Sequence, residues 1–354
     1  MKIKVICKLY DADAKYFLEP LKHIFQRNSL ILYRDQMIPD EFDIKQITPI
    51  VSRFSLISNF IRFFQIILSK NKPDLIIGFY EIPHGIIALL TSKFLNVYSV
   101  VCIIGNPKIN FRNKGIRGRV TNWVYKNADV ITVTGNVSKK YLLEYKKIKS
   151  DKIFILPNSI IDNTFYSLDI KPKYDLITLG RLSSEKGLFN LLNLVKELKL
   201  KIPNVKLGIA GKGPLYHSLQ KEIGKLDLDN NVDLLGYIND ANQYLNNGKI
   251  FISTSFTEGL PRTIIQSMFC GTPVISLDVG DISDLIIDEY NGYIINPPYE
   301  SNIFTNKVFK LLNDEKLRKI FSKNCISHVS KLYSNENAMN VWLEILKYLK
   351  INNK

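Results

Sequence analysis

Two cations and one carboxylate carry the chemistry this sequence suggests. Arg181 and Lys186 stand in "ITLGRLSSEKGLFNLLNLVKEL", in a loop between an apolar run and a helix that opens near Gly187. Free N–H groups at a helix start, with two converging cations, make a natural diphosphate site. An ordinary solvated loop is the competing reading of the same residues. Glu258 stands in the Gly/Pro loop of "FTEGLPRTIIQSMFCGTPVIS", ahead of a helix whose first turn suits Pro261, because the missing N–H is not needed there. On a helical wheel Ile264 and Met268 point to the core, while Arg262, Thr263 and Gln266 point the other way. That polar face is either simply wet or lines a cleft with Glu258 at its rim. A further junction, "GIAGKGPLYHSLQ", places Gly211, Gly213 and Pro214 where the backbone can turn sharply or approach a ligand. The run "VDLLGYIND" ends at Gly236 and Tyr237, whose main chain is placed to read a base edge.

All of these lie just after short apolar runs, where parallel sheets bind ligands. The runs "KIKVICKLY", "PDLIIGFY", "VYSVVCIIG" and "ADVITVTG" alternate with helical segments, and the rhythm returns in "YDLITLG", "VKLGIAG", "VDLLGYI", "KIFISTS" and "TPVISLD". Fully apolar strands between helices predict parallel sheets covered on both faces. Residues 154–175, with two prolines and no helical period, read as a linker. The division expected is a first domain over 1–165, a second over 166–335, and a terminal helix at 336–354 that packs back toward the first. A chain of 354 residues suits two domains, and 46% hydrophobic with 23% charged content is that of a soluble globular protein.

No apolar run is long enough to span a bilayer. The start, "MKIKVICKLYDADAKY", reads as a strand rather than a signal peptide. The aromatic segment "RFSLISNFIRFFQIILSK" reads as a buried crossover helix in preference to a membrane-surface helix. Cys7, Cys102, Cys270 and Cys325 are scattered and fit buried thiols in a reducing cytoplasm. The net charge of +15 is uneven: residues 1–170 hold 25 Lys and Arg against 14 acids, and residues 171–354 hold 23 against 19. An anionic inner membrane surface or a phosphorylated substrate suits that excess, as does plain solubility. Basic residues are not interleaved with aromatics as in nucleic-acid modules, so no nucleic-acid partner is expected. The Gly-rich junction lacks the dinucleotide fingerprint, which disfavours a dehydrogenase. The triplets "DAD" at 11–13 and "DLD" at 227–229 do not end strands, so no metal and no cofactor are expected.

In this order the motifs "GRLSSEKG", "AGKGP", "TSFTEGLPRTIIQSMFCGTPVIS" and "GDISDLIIDEYNGYII" resemble the family 4 (group 1) retaining glycosyltransferases of GT-B fold. The strings "ADVITVTGNVSKKY" and "ILPNSIIDNTF" match more loosely. The resemblance implies an α/β protein of two Rossmann-like, doubly wound parallel-sheet domains facing across a cleft. It implies transfer of a hexose from a nucleotide diphosphate sugar, without a metal, to a glycan or lipid-linked acceptor in surface-polysaccharide synthesis. Arg181 and Lys186 then hold the diphosphate beside Gly180. Glu258, with the amides of Gly259 and Leu260 and with Pro261 following, faces the transferred sugar. Gln266 occupies the family's second-acid position toward the ribose. A neutral amide there forfeits a charge-assisted bond, roughly 1 kcal/mol of donor binding. The first half departs further: "LYDADAKY" replaces a Gly-rich turn and Ile104 stands where a histidine is frequent. His84, Gly105 and Asn106 are the acceptor-side candidates. A non-catalytic nucleotide-sugar-binding subunit, or an epimerase or phosphorylase on the same fold, are the rival readings.

Overall fold

The computed structural model describes residues 2–6, 11–25, 30–33, 45–47, 55–69, 71–108, 115–161 and 163–351. It divides into Met1–Ile161 with Asn335–Lys354, and Asp162–Ser334. The first unit runs β1 (Ile3–Ile6), α1 (Asp11–Ile24), β2 (Leu30–Tyr33), β3 (Lys45–Ile47), α2 (Ser55–Ile67), β4 (Leu75–Phe79), α3 (Ile86–Leu95), β5 (Tyr98–Cys102), α4 (Gly115–Asn127), β6 (Val130–Val133), α5 (Asn136–Glu144) and β7 (Ile153–Ile155). Among the described residues its seven strands are all parallel in the order β3-β2-β1-β4-β5-β6-β7. Side chains alternate across the sheet, as strand geometry requires. Ile3, Val5, Leu75, Ile77 and Phe79 pack on Leu18 and Leu21 of α1, whereas Ile6 and Ile76 pack on Ile66 of α2 and Ile87 and Ala88 of α3. Helices on both faces are why these strands read as unbroken apolar runs.

The second unit runs β8 (Tyr174–Leu179), α6 (Leu188–Lys201), β9 (Leu207–Ala210), α7 (Tyr216–Lys225), β10 (Val232–Gly236), α8 (Ala241–Asn246), β11 (Gly248–Ser253), α9 (Arg262–Phe269), β12 (Val274–Leu277), β13 (Gly292–Ile295), α10 (Ser301–Asn313) and α11 (Glu315–Leu332). Its six parallel strands take the order β10-β9-β8-β11-β12-β13. The chain winds outward from β8 to β10, then returns and lays β11 on the other side of β8. The carboxyl ends of β8 and β11 therefore flank the switch point, where connecting loops diverge and leave room for a ligand. In α6, Leu188, Leu191, Leu192, Val195 and Leu198 are all buried, the inward stripe that their spacing predicts.

The last helix, α12 (Asn335–Tyr348), belongs to the first unit. Its Trp342, Ile345 and Leu346 join α1 on the face of Ile3 and Val5. The segment read as a linker starts later than its composition suggests, because Ile153–Ile155 pairs in register with Ile131–Val133. β3, with the sequence KQI, is an edge strand without an apolar run and gave no period to detect. Cys102, Cys270 and Cys325 are buried free thiols, and Cys7 lies outside the described residues.

One buried charge is a liability in this core. Lys4 in β1 is 1% exposed, and its Nζ donates to the Ile66 carbonyl at 3.1 Å and to Ser69 Oγ. Burial, with the charge of Lys2 nearby, pushes its ammonium down to about 8 from 10.5. A lysine depressed in the folded state costs stability while it is charged, and the cost disappears as pH rises from about 8 through 10.5. Cys102, pushed up to about 12 by burial, acts in the opposite sense in alkali, so parent and variant must be compared at each pH. Lys4→Met should be more stable than the parent by about 1–3 kcal/mol at pH 7, with the difference shrinking above pH 8. Denaturant unfolding across pH 6–11 checks this, and a pH-independent difference would show that Lys4 is not the titrating group.

Candidate functional site

The loop after β8 is held on both sides by backbone. Gly187, at φ 61°, ends a short 3-10 turn over Ser184–Lys186 and precedes α6. A Cβ there would stand 2.1 Å from the Thr254 carbonyl oxygen, so only glycine permits this approach. The approach lets Thr254 Oγ1 donate to the carbonyls of Lys186 (3.2 Å) and Gly187 (3.0 Å), and lets the Phe256 N–H donate to the Glu185 carbonyl (2.8 Å). On the other side Gly211, at φ 137°, comes so near Gly180 that a Cβ would meet its carbonyl oxygen at 1.8 Å. The Gly211 N–H donates to the Gly236 carbonyl at 2.6 Å, and Leu182 exchanges bonds with Lys212 and Leu215 at 2.9 and 3.0 Å. Gly213 lies against the Leu182 backbone, and Pro214 follows it toward α7.

The loop after β11 is held in turn. Gly280 passes so close that a Cβ would be 2.2 Å from the Glu258 carbonyl oxygen, and the Asp281 N–H donates to the Gly259 carbonyl at 2.9 Å. Leu260 is buried, and Pro261, with φ −71° and ψ 115°, stands just ahead of α9 rather than in its first turn. Gly180, Arg181, Lys186, Glu258, Pro261 and Thr263 border one cavity at these strand ends.

Across it Lys186 Nζ and Glu258 Oε1 are 2.6 Å apart, with side chains 25% and 12% exposed. An ammonium has three donors, so two remain for another ligand. Removing either partner leaves a partly buried charge uncompensated, which costs more than the intact pair contributes. Glu185 adds a second carboxylate. A hydrogen bond from Ser183 Oγ at 2.5 Å, then its own backbone and the charges of Lys186 and Arg181, hold its carboxyl below the usual range. Arg181 is exposed.

Other predicted residues lie apart from this cavity. Gln266 is 8% exposed on α9 and does not border it, although the wheel placed it on a polar face. Helix α9 is short and covered on more than one side, so its wheel had no wholly wet face. Tyr237 is 65% exposed, with Lys212 Nζ 4.6 Å from its ring centroid. Asp227 faces Lys199 at 2.8 Å, and the side chains of residues 11–13 lie outside the described residues.

In the first unit His84 lies in a short π-turn over Glu81–Gly85 that leads from the end of β4 into the start of α3. It is buried, with Nδ1 3.0 Å from the Phe79 carbonyl oxygen. The turn contains a buried Glu81 that accepts from Tyr125 OH at 2.7 Å, and it follows Tyr80 at φ 68° and ψ 150°. That conformation is strained for any residue with a side chain. Gly105 has open space around it, and Asn106 is buried with Oδ1 accepting from the Lys108 N–H at 2.9 Å. Sequence reading missed Glu185, Thr254, Gly280 and, here, Glu81. Of these only Gly280, a glycine three residues beyond the apolar run of β12, carried a visible signal.

Gly187→Ala should destabilise the second unit by more than about 2 kcal/mol, since it combines a positive φ with a backbone collision. Thermal unfolding reads the loss, and a melting temperature within a degree of the parent would show that the two loops can separate freely.

With this geometry in place, comparisons with known proteins agree on one group. Residues 161–328 match the family model described as Glycosyl transferases group 1. The chain is 27% identical over 371 aligned positions to an uncharacterized glycosyltransferase of Methanocaldococcus jannaschii, covering 90% of this chain and 89% of the relative. It is 24% identical to a Campylobacter jejuni transferase named for adding α-1,4-N-acetyl-D-galactosamine to a diphospho-undecaprenol-linked glycan, covering 83% and 80%. Among solved structures, Anabaena HepE in complex with UDP superposes with a TM-score of 0.83 at 16% identity, covering 98% of this chain and all of that one. At such identity the likeness shows the fold, which is GT-B.

Proposed function

We propose that this chain, whose residues 161–328 match the group 1 glycosyltransferases, moves a hexose-type sugar from a nucleotide diphosphate sugar to a glycan or lipid-linked acceptor with retention at the anomeric carbon. The observation that carries the reading is the Lys186–Glu258 pair at the switch point of the second sheet, with Arg181 beside it. Transfer breaks the bond from the anomeric carbon to the diphosphate, and the electron pair leaves with the nucleotide. The acceptor's hydroxyl oxygen bonds to that carbon and its proton departs, to the leaving phosphate or to solvent. Charge grows on the diphosphate as it leaves. The remaining donors of Lys186 and the guanidinium of Arg181 are the groups to stabilise it. Glu258 orients Lys186 beforehand and turns its second oxygen toward the sugar. The main chains of Gly180, Gly211, Gly213 and Gly236 let a nucleotide approach closely, with Tyr237 at the base and Gln266 at the ribose.

Support for the donor and acceptor classes comes from relatives. The Anabaena protein was solved with UDP, and the Campylobacter enzyme acts on a lipid-diphosphate-linked glycan. On this reading the fixed cations do the work a divalent ion does elsewhere, so chelator should leave turnover unchanged.

Lys186→Ala and Glu258→Ala should each lower kcat by about a hundredfold or more, an effect of the size that loss of a transition-state donor produces. Circular dichroism should be unaltered. Turnover assays across UDP-, GDP- and dTDP-sugars test this, and near-parental rates in either variant, or loss of activity in EDTA, would remove the mechanism. Gln266→Ala should weaken donor binding about tenfold, roughly the contribution of one or two hydrogen bonds. Titration calorimetry showing unchanged donor affinity would take Gln266 out of the site.

A further inference from the structure

One surface of the first unit is explained neither by its core nor by the donor site. Helices α2, α3 and α4 stand side by side. The ring of Phe63 lies 6.3 Å from that of Phe94, Lys93 Nζ lies 5.4 Å from the Trp123 ring centroid, and Lys93 also donates to Asn127 Oδ1 at 2.9 Å. Their inner faces are consumed by Ile66, Ile87, Ala88 and Val124, all buried. Their outer faces leave large apolar side chains in water: Phe64 at 42% exposure, Leu68 at 76%, Leu90 at 44%, Phe94 at 68% and Trp123 at 37%. Scattered exposed hydrophobics are ordinary, but a connected set on three neighbouring helices marks an interaction surface.

The charge on this surface is of one sign. From residue 82 to residue 128 the chain has no Asp or Glu and seven Lys or Arg. Lys93, Arg117, Arg119 and Lys126 are exposed on α3 and α4. α2 adds no acid, and its Arg62 is buried.

We propose that the outer face of α2, α3 and α4 docks on an anionic lipid surface. Aromatic and aliphatic side chains standing among cations on one helical face match the two layers of a membrane interface. Apolar groups enter the acyl boundary while long basic side chains reach the headgroups. A nucleic acid uses exposed rings for stacking, but here Lys93 already lies over the Trp123 ring. The inference does not depend on the proposed transfer reaction, because binding is read without turnover.

The test uses the intact chain and its own fluorophores. The protein has two tryptophans, and Trp342 is 1% exposed in the core, so a change in emission on docking reports Trp123. Vesicles of phosphatidylglycerol and phosphatidylcholine should blue-shift the emission and carry the protein into the pellet. Pure phosphatidylcholine, or high salt, should not. Trp123→Phe should remove the spectral change. Leu68→Ser with Phe94→Ser should weaken sedimentation at least tenfold, as should Arg117→Glu with Arg119→Glu. Both pairs should leave melting temperature and transfer to a water-soluble acceptor at parental values. Equal binding to neutral vesicles, or none to anionic vesicles at low salt, would overturn the proposal. So would a concentration-dependent dimer, seen by sedimentation velocity, that Phe94→Ser abolishes, because the face would then belong to a second copy. Vesicle binding without transfer activity would leave this inference standing and remove the enzymatic one.

Discussion

The site depends on one steric fact: main chain touches main chain where a side chain would intervene. Gly187 against Thr254, Gly211 against Gly180, and Gly280 against Glu258 bring four strand-end loops into direct backbone contact. Each contact is then fixed by hydrogen bonds that need that proximity. The Lys186–Glu258 pair spans 2.6 Å because the loops holding it cannot drift apart. Glycine loses more conformational freedom on folding than any other residue, so this precision has an entropic cost. The regular packing of the sheet below, with its continuous stripe from α6, offsets it.

Topology decides where that precision is useful. In both sheets the chain builds outward from its first strand and then crosses to the other side, and loops part company only at the crossing. In the second unit the crossing holds two cations and two carboxylates. In the first it holds a strained Tyr80 and a buried Glu81 bound by Tyr125. The same architecture thus presents an ionic, partly open site in one unit and a closed, buried turn in the other. The difference comes from the side chains after the strands, not from the strands.

Much of this was legible from the sequence because burial on both faces writes long apolar runs, and β1, β4, β5, β6 and β8 through β12 all announced themselves. β3 and β7 did not. Each has three residues, and a strand that short has no period to read. Arg181, Lys186 and Glu258 were singled out from their place after strands and border one cavity, but the pairing of Lys186 with Glu258 could not be read, since the contact joins residues 72 positions apart. The enclosure of Gln266 was hidden for a related reason. A helical wheel divides a helix into two faces, whereas α9 is enclosed on more than that, and enclosure is a property of the neighbours. Glu185 is held by Ser183 and by the turn's own backbone, which no spacing rule encodes.

The position of α12 reaches beyond the finished structure. Trp342, Ile345 and Leu346 complete the apolar layer that Ile3, Val5, Leu18 and Leu21 begin, yet their helix leaves the ribosome after the whole of the second unit. While the chain is being made, the second unit has every residue it needs before the first does. The usual order of assembly along a growing polypeptide, amino-terminal part first, is therefore inverted. Until α12 has been made, the face of α1 is an open apolar surface, and a ribosome that stalls before Asn335 releases a chain whose opening domain is the unfinished one.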